Sequence, residues 1–230
     1  LNEKNIAYKA ADAFFKANNI KDTGIYIDIK KRIPHAAGLA GGSADGAGVI
    51  VALNQMYNTN LSNKELCQIG VKIGADLPFC ICGGTLLAQG IGEVLNPVKP
   101  LRKCFILLAK PKTGVNTGNA FKAFDENGKL HTPDKLGMLY AMQSRDLDQI
   151  CSKMENVFEQ FIEVPERVYI KEIMRSNGAL GTCMSGSGPT VFGIFLNKED
   201  AEKSAEELKN YAKDIHICTP VSKGCKIENE

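Results

Sequence analysis

Between residues 34 and 47 the chain reads Pro-His-Ala-Ala-Gly-Leu-Ala-Gly-Gly-Ser-Ala-Asp-Gly-Ala. Glycines at 38, 41 and 42 let the backbone take positive φ and bring bare N–H groups against a ligand. Ser43 is positioned to cap a helix that follows. The ligand such a loop suits is a polyphosphate, seated on the positive end of that helix. The plainer reading is a tight strand-to-helix connection. Two common phosphate loops are excluded: no glycine precedes Lys and Ser/Thr at Walker A spacing, and GxGxxG is absent throughout. A second glycine cluster, Ser185-Gly186-Ser187-Gly188-Pro189, reads either as a strand-to-strand turn or as a nest of N–H groups for an anion.

These residues need elements to hold them. Apolar spacing predicts an amphipathic helix over 5–17 and, in TGIYIDIKKRI, a half-buried strand with Ile25, Ile27 and Ile29 on one face. A helix is expected from Ser43 to Tyr57, and a further one after the Ser62/Glu65 capping-box pattern, with Gly74 as a stop. FCICGGTLLAQGIGEVLNPV reads as strand, turn at Gly90 to Gly92, and strand. Pro97 and Pro100 then punctuate the chain, and a boundary there divides it into domains 1–98 and 99–230. The second begins with the strand CFILLAKP, continues with helices over 134–143, 146–162 and 165–176, and reaches paired strands in GTCMSGSGPTVFGIFL. A helix over 198–213 and a closing strand IHICTPV complete it.

Composition narrows the class without choosing a function. The chain has 230 residues, 44% hydrophobic and 23% charged, with a formal net charge of +2; these are the proportions of a soluble globular protein. Nothing in that balance proposes a nucleic-acid or membrane partner. No run of about 18 apolar residues occurs and the N-terminal stretch lacks the core of a secretory signal, so the cytoplasm is the expected compartment. Eight cysteines are scattered, mostly in apolar stretches. Cys80 and Cys82 form a CxC expected on one strand face, read as reduced thiols rather than a zinc site for want of a second ligand pair. The start at Leu1, directly in a helical pattern, reads as a cut.

Taken together, PHAAGLAGGSADGAG resembles the second signature motif of the galactokinase, homoserine kinase, mevalonate kinase and phosphomevalonate kinase (GHMP) superfamily, in the form found in its diphosphocytidyl-methylerythritol kinase branch. IGADLPFCICGGTLLAQGIGE is similar to the segment bearing the family's catalytic aspartate, and CMSGSGPTVFGIF to the third signature motif, in the right order. The resemblance spans essentially the whole chain. It implies an α+β, two-domain GHMP kinase fold, with an incomplete ribosomal-protein-S5-like nucleotide-binding domain followed by a ferredoxin-like domain. Nucleotide and substrate are then expected in the cleft between them. The implied reaction moves the γ-phosphoryl group of ATP, with Mg2+, to the 2-hydroxyl of the branch's cytidyl substrate. Another GHMP kinase activity, or a nucleotide-binding relative without activity, is the rival.

Carried over residue by residue, Asp76 matches the catalytic aspartate that orients the substrate hydroxyl and accepts its proton; its plainer reading is a turn cap. Pro34, Gly38, Leu39, Ala40, Gly41, Gly42, Ser43, Ala44 and Asp45 match the nucleotide loop. Asn5 and Ile6 match adenine-side positions, and Lys31 a basic residue before the loop. Asn5 serves equally as a helix cap, and Lys31 as a solvated charge. Thr117 and Phe121 match the cytidine end of the substrate site, with the ring stacking on the base; core packing at helical spacing from Phe124 is the alternative. Gly186, Ser187 and Gly188 are expected near substrate.

Departures are as informative. Ala44 stands where many relatives carry a serine, so no hydroxyl is contributed there. No segment matches the family's Pro-x-Lys-hydrophobic-Asn strand, and Lys4 does not replace its lysine. His35 is not the family's substrate-binding histidine, and neither His131 nor His216 has a motif around it. The polypeptide as given is therefore expected to turn over poorly. Its partner is a small molecule, and the chain is expected to act as a monomer or homodimer.

Overall fold

Helix α1 (Ile6–Ala17) starts where Asn5 caps it, the Asn5 side chain accepting from the Ala7 N–H. Its buried face of Ala7, Ala10, Ala11, Phe14 and Phe15 recurs at the three-to-four spacing that a helix needs to cover a core. The computed structural model describes residues 3–21, 24–127 and 131–228. The chain forms two compact units, each discontinuous in sequence. One comprises the residues up to Ile33, Ala40–Val98 and those from Val221 on; the other comprises Pro34–Leu39 and Lys99–Pro220.

In the first unit α1 packs on α2 (Gly41–Met56) through small residues. A β-carbon at Gly46 would sit 2.8 Å from the Ile6 side chain and 3.1 Å from that of Leu77, so glycine is what lets the two helices approach. Helix α3 (Asn63–Gly70) carries the complete capping box: the Ser62 hydroxyl accepts from the Glu65 N–H and the Glu65 carboxylate accepts from the Ser62 N–H. Helix α4 (Leu77–Cys82) drives Leu77 and Ile81 into the core with Phe14, Ile50, Leu53 and Leu66. Strands β1 (Leu86–Gln89) and β2 (Val94–Pro97) make an antiparallel hairpin, Gln89 opposite Val94. Its turn holds Gly90 and Gly92 at φ 68 and 120.

Residues 221–228 return to this unit, and two glycines make the return possible. A β-carbon on Gly83 would fall 1.9 Å from the Gly224 nitrogen, and one on Gly224 would fall 2.4 Å from the Cys80 carbonyl oxygen. The Cys225 thiol donates to that same carbonyl.

The second unit is built on a four-stranded antiparallel sheet in the order β4-β5-β3-β6, with β3 Phe105–Pro111, β4 Gly181–Met184, β5 Val191–Phe195 and β6 Ala212–Cys218. Helices α5 (Thr117–Glu126), α6 (Lys135–Ser144), α7 (Leu147–Ser152) and α8 (Glu166–Ser176) lie between β3 and β4, and α9 (Lys198–Glu207) between β5 and β6. This order and connectivity is ferredoxin-like. Ile170 and Met174 of α8 and Ala201 of α9 join Leu107, Val191 and Phe195 of the sheet in one core.

Several expectations need correction. Residues 24–33 keep the alternation of half-buried Ile25, Ile27 and Ile29 with an exposed Tyr26, but form no ladder; Thr23 lies outside the described residues. A strand needs a hydrogen-bonding neighbour, and this segment is flanked instead by cavities of about 830 Å³ and about 390 Å³. FCIC is helical, so Cys80 and Cys82 share no strand face. The run is apolar at both periods, which leaves periodicity silent, and Pro78 in the first turn favours the helix. The helix expected over 146–162 breaks after Ser152, and Asn156 caps a single 3-10 turn, Val157–Gln160. The helix expected to reach 213 ends at Glu207, because Ala212 is already paired to Pro111 as the first residue of β6.

Candidate active site

The glycine loop enters α2 without a cap. Ala40, at φ 50 and ψ 27, occupies the cap position and offers no side-chain acceptor. The first hydrogen bond of the helix is Ala44 N–H to Ala40 C=O, at 2.9 Å. The N–H groups of Gly41, Gly42 and Ser43 thus have no acceptor within the helix. Ser43 lies inside the first turn and is not the cap expected of it. What results is a helix N-terminus lined by two glycines and a serine, open to an acceptor from outside.

The preceding residues fold onto the second glycine turn. The Ser185 hydroxyl donates to the Gly38 carbonyl at 2.7 Å, and the Thr190 N–H to the Ala37 carbonyl at 3.3 Å. A β-carbon on Gly38, which has φ 70, would lie 2.3 Å from the Ser185 oxygen. The structure therefore brings together Gly38 and Gly186–Gly188, two clusters that the sequence separates by nearly 150 residues.

Asp76 sits between Gly74 and α4, in the first unit. It holds the cap position of α4, yet its side chain makes no capping hydrogen bond, and the residue is exposed. The backbone around it is fixed from both sides. Leu77 is fully buried, and a β-carbon on Gly92 would meet the Ala75 carbonyl at 2.5 Å. A carboxylate held on a rigid backbone, with no cap to satisfy, is free for work on a ligand.

Lys31 and Asp45 form an ion pair, so two of the expected loop residues meet. Asn5 is engaged as the cap of α1, and Ile6 packs on Gly42 and Gly46 of α2. Ala44 and Asp45 line the smaller cavity beside residues 25–30, along with Gly48 and Leu53. None of the expected site residues lines the larger one.

In the second unit Thr117 opens α5, its hydroxyl 3.0 Å from that of Ser187, which is only 7% exposed. Phe121 follows one turn later and is 55% exposed, its ring edge-on to Phe158 with centroids 5.1 Å apart. Phe124 and Phe161 complete an aromatic cluster around Phe158. One edge of this cluster is thus offered to a ligand beside a hydroxyl pair.

Sequence reasoning missed the residues that hold the second glycine turn. Asn156 donates through Nδ2 to the carbonyls of Met184 and Gly186, at 2.8 and 2.7 Å. The Glu159 carboxylate accepts from the Met184 N–H at 2.6 Å and pairs with Lys171. A capping Asn in the middle of what read as a continuous helix was the available signal. Burial pushes the Cys183 thiol, next to this turn, up to about 11, so it stays protonated at neutral pH. Among the described residues no three His, Cys, Asp or Glu side chains gather as a metal cage, and no helix is long and apolar enough to cross a membrane.

The family described as GHMP kinases N terminal domain matches residues 5–84, and GHMP kinases C terminal matches residues 138–214. The chain is 43% identical over 217 residues to a 4-diphosphocytidyl-2-C-methyl-D-erythritol kinase of Clostridium botulinum, covering 94% of this chain and 77% of that protein. A solved 4-(cytidine 5'-diphospho)-2C-methyl-D-erythritol kinase superposes with a TM-score of 0.77 at 29% identity, covering 97% of this chain and 80% of that one. A homoserine kinase from Cytophaga hutchinsonii shares the fold, with a TM-score of 0.78 at 20% identity over 97% of this chain and 78% of its own. The uncapped glycine helix entry, the aspartate before α4 and the ferredoxin-like second unit thus belong to a chain of the GHMP kinases, within the family of 4-diphosphocytidyl-2-C-methyl-D-erythritol kinases.

Proposed function

We propose that this chain transfers the γ-phosphoryl group of ATP to the 2-hydroxyl of 4-diphosphocytidyl-2-C-methyl-D-erythritol, a step of non-mevalonate isoprenoid synthesis, working in the cytoplasm as a monomer or homodimer. The observation that carries the reading is the uncapped N-terminus of α2, where the amides of Gly41, Gly42 and Ser43 lack acceptors of their own. Phosphate oxygens satisfy such donors and gain from the helix dipole.

Asp76 then acts on the acceptor. Phosphoryl transfer runs through a loose transition state, so an aspartate that orients the hydroxyl and takes its proton suffices. Its side chain has no capping bond to break first. Thr117 and the exposed edge of Phe121 suit the cytidine end of the substrate, the ring stacking on the base. The donor set around Asp45, already paired to Lys31, suits magnesium carried on the nucleotide's phosphates rather than in a protein cage. Bound there, magnesium supplies neutralisation of phosphate charge. The assignment of residues 1–98 to nucleotide binding and 99–230 to the C-terminal domain is part of the same proposal.

The test is a steady-state assay with ATP, Mg2+ and the cytidyl substrate beside homoserine and mevalonate. Only the cytidyl substrate should be consumed. Asp76→Asn should lower kcat by roughly 10²–10⁴-fold with an unchanged melting temperature, since the side chain holds nothing in place. Turnover in that variant equal to the parent's, or equal use of the other alcohols, overturns the reading.

A further inference from the structure

Two thiols that no part of the kinase reading uses lie against each other. The Cys67 sulfur on α3 is 3.5 Å from the Cys82 sulfur at the end of α4. Both residues are half-buried, so a small oxidant can reach them. The helices that carry them are packed without slack: a β-carbon at Gly70 would meet the Leu77 and Ile81 side chains at 3.1 Å. The two sulfurs are therefore held as neighbours. To bond, they must close by about 1.5 Å, to the usual disulfide length of about 2.05 Å, a movement within reach of side-chain rotation.

Among the described residues no other pair of cysteines in this unit makes a sulfur–sulfur contact. The Cys225 thiol is turned to the Cys80 carbonyl at 3.6 Å. Cys67 itself reaches the Pro78 carbonyl, also at 3.6 Å, and burial together with the Cys82 thiol pushes it up to about 12. The pair is thus set apart by its geometry, two sulfurs 3.5 Å from each other on adjoining helices.

We propose that Cys67 and Cys82 are a reversible redox modification site that closes to a disulfide under a hydroperoxide. One of the two sulfurs attacks the peroxide, losing its proton and breaking the O–O bond, to give a sulfenic acid and a water or alcohol. The other sulfur then attacks the sulfenic sulfur; the S–O bond breaks, and hydroxide leaves with the attacking thiol's proton as water. Two thiols supply two electrons and one peroxide is reduced, so the step balances. A small-molecule dithiol reverses it. The bridge would tie α3 to α4 across the segment that contains Asp76. Any effect on turnover rests on the role proposed for Asp76, whereas the cross-link itself does not.

The test uses the full chain, treated with stoichiometric hydrogen peroxide and then alkylated without reduction. Of the eight free thiols two should disappear, and digestion should join the peptide of Cys67 to that of Cys82. Dithiothreitol should restore both. Cys80→Ser should keep the bridge, and Cys82→Ser should abolish it. In Cys67→Ser, dimedone should label Cys82 as an unresolved sulfenic acid. Eight thiols left free, a bridge between other cysteines, or a bridge that survives Cys82→Ser overturns the proposal. Because the readout is mass and thiol count, these results are independent of whether the kinase reading stands.

Discussion

Ala40 shows how much a single residue contributes to the loop. A left-handed alanine costs about 1–2 kcal/mol relative to its relaxed backbone, and Ala40 accepts that geometry at φ 50 so that α2 can begin at Gly41. Relief of that strain exceeds the extra chain entropy of glycine, so Ala40→Gly should raise stability by about 0.5–1 kcal/mol. Gly38→Ala should do the opposite and by more, about 1–3 kcal/mol, because its new methyl would collide with the Ser185 carbonyl. Urea titration of the pair checks both signs. At this scale the sequence was legible where residue type dictates geometry: the glycines and the Asn5 cap could be read directly. Ala36 and Ala40 at positive φ could not, since alanine has no preference for that region. The unengaged side chain of Asp76 was likewise invisible, because the same Asp-Leu-Pro suits a cap or a free carboxylate equally.

Among elements, the capping box of α3 carries its own pH dependence. Hydrogen bonds from the Ser62 hydroxyl and backbone hold the Glu65 carboxyl below its ordinary value of 4.5. A carboxyl depressed in the folded state stabilises above its unfolded pKa and loses that contribution as pH falls through the folded one. The melting temperature of the parent should therefore exceed that of Glu65→Ala at neutral pH, and the gap should narrow below about pH 4.5. Asp134, also held low by Lys153 and the Gly137 N–H, titrates in both proteins and cancels from the difference. Calorimetry across pH 3–7 checks this. Elements with caps or strict periodicity, such as α1, α3, α8 and β3, were legible. FCIC was not, because an all-apolar run fits a helix and a strand alike. Nor was the break between Ser152 and Asn156, since the Asn156 side chain is committed to Met184 and Gly186 in a distant strand and turn that local pattern does not contain.

For the molecule as a whole, the order of strands and helices in the second half was legible and the resemblance supplied its ferredoxin-like arrangement, while the discontinuity of the units was not legible. Residues 221–228 have no periodicity to read, yet Gly224 and Cys225 close on Gly83 and Cys80. Replacing Gly224 by Ala should lower the melting temperature by several degrees, as expected for a loss of roughly 1–3 kcal/mol, because the backbone on both sides has no room to yield. Hydrogen exchange should then quicken in α4 while the sheet of the second unit keeps its protection. A consequence follows for the nascent chain. Val98 emerges from the ribosome long before Val221, so the seam at the end of α4 stays unsealed while Lys99–Pro220 is translated. At about 5–20 residues per second that delay is several seconds or more, and the first unit is finished only after the second has been made.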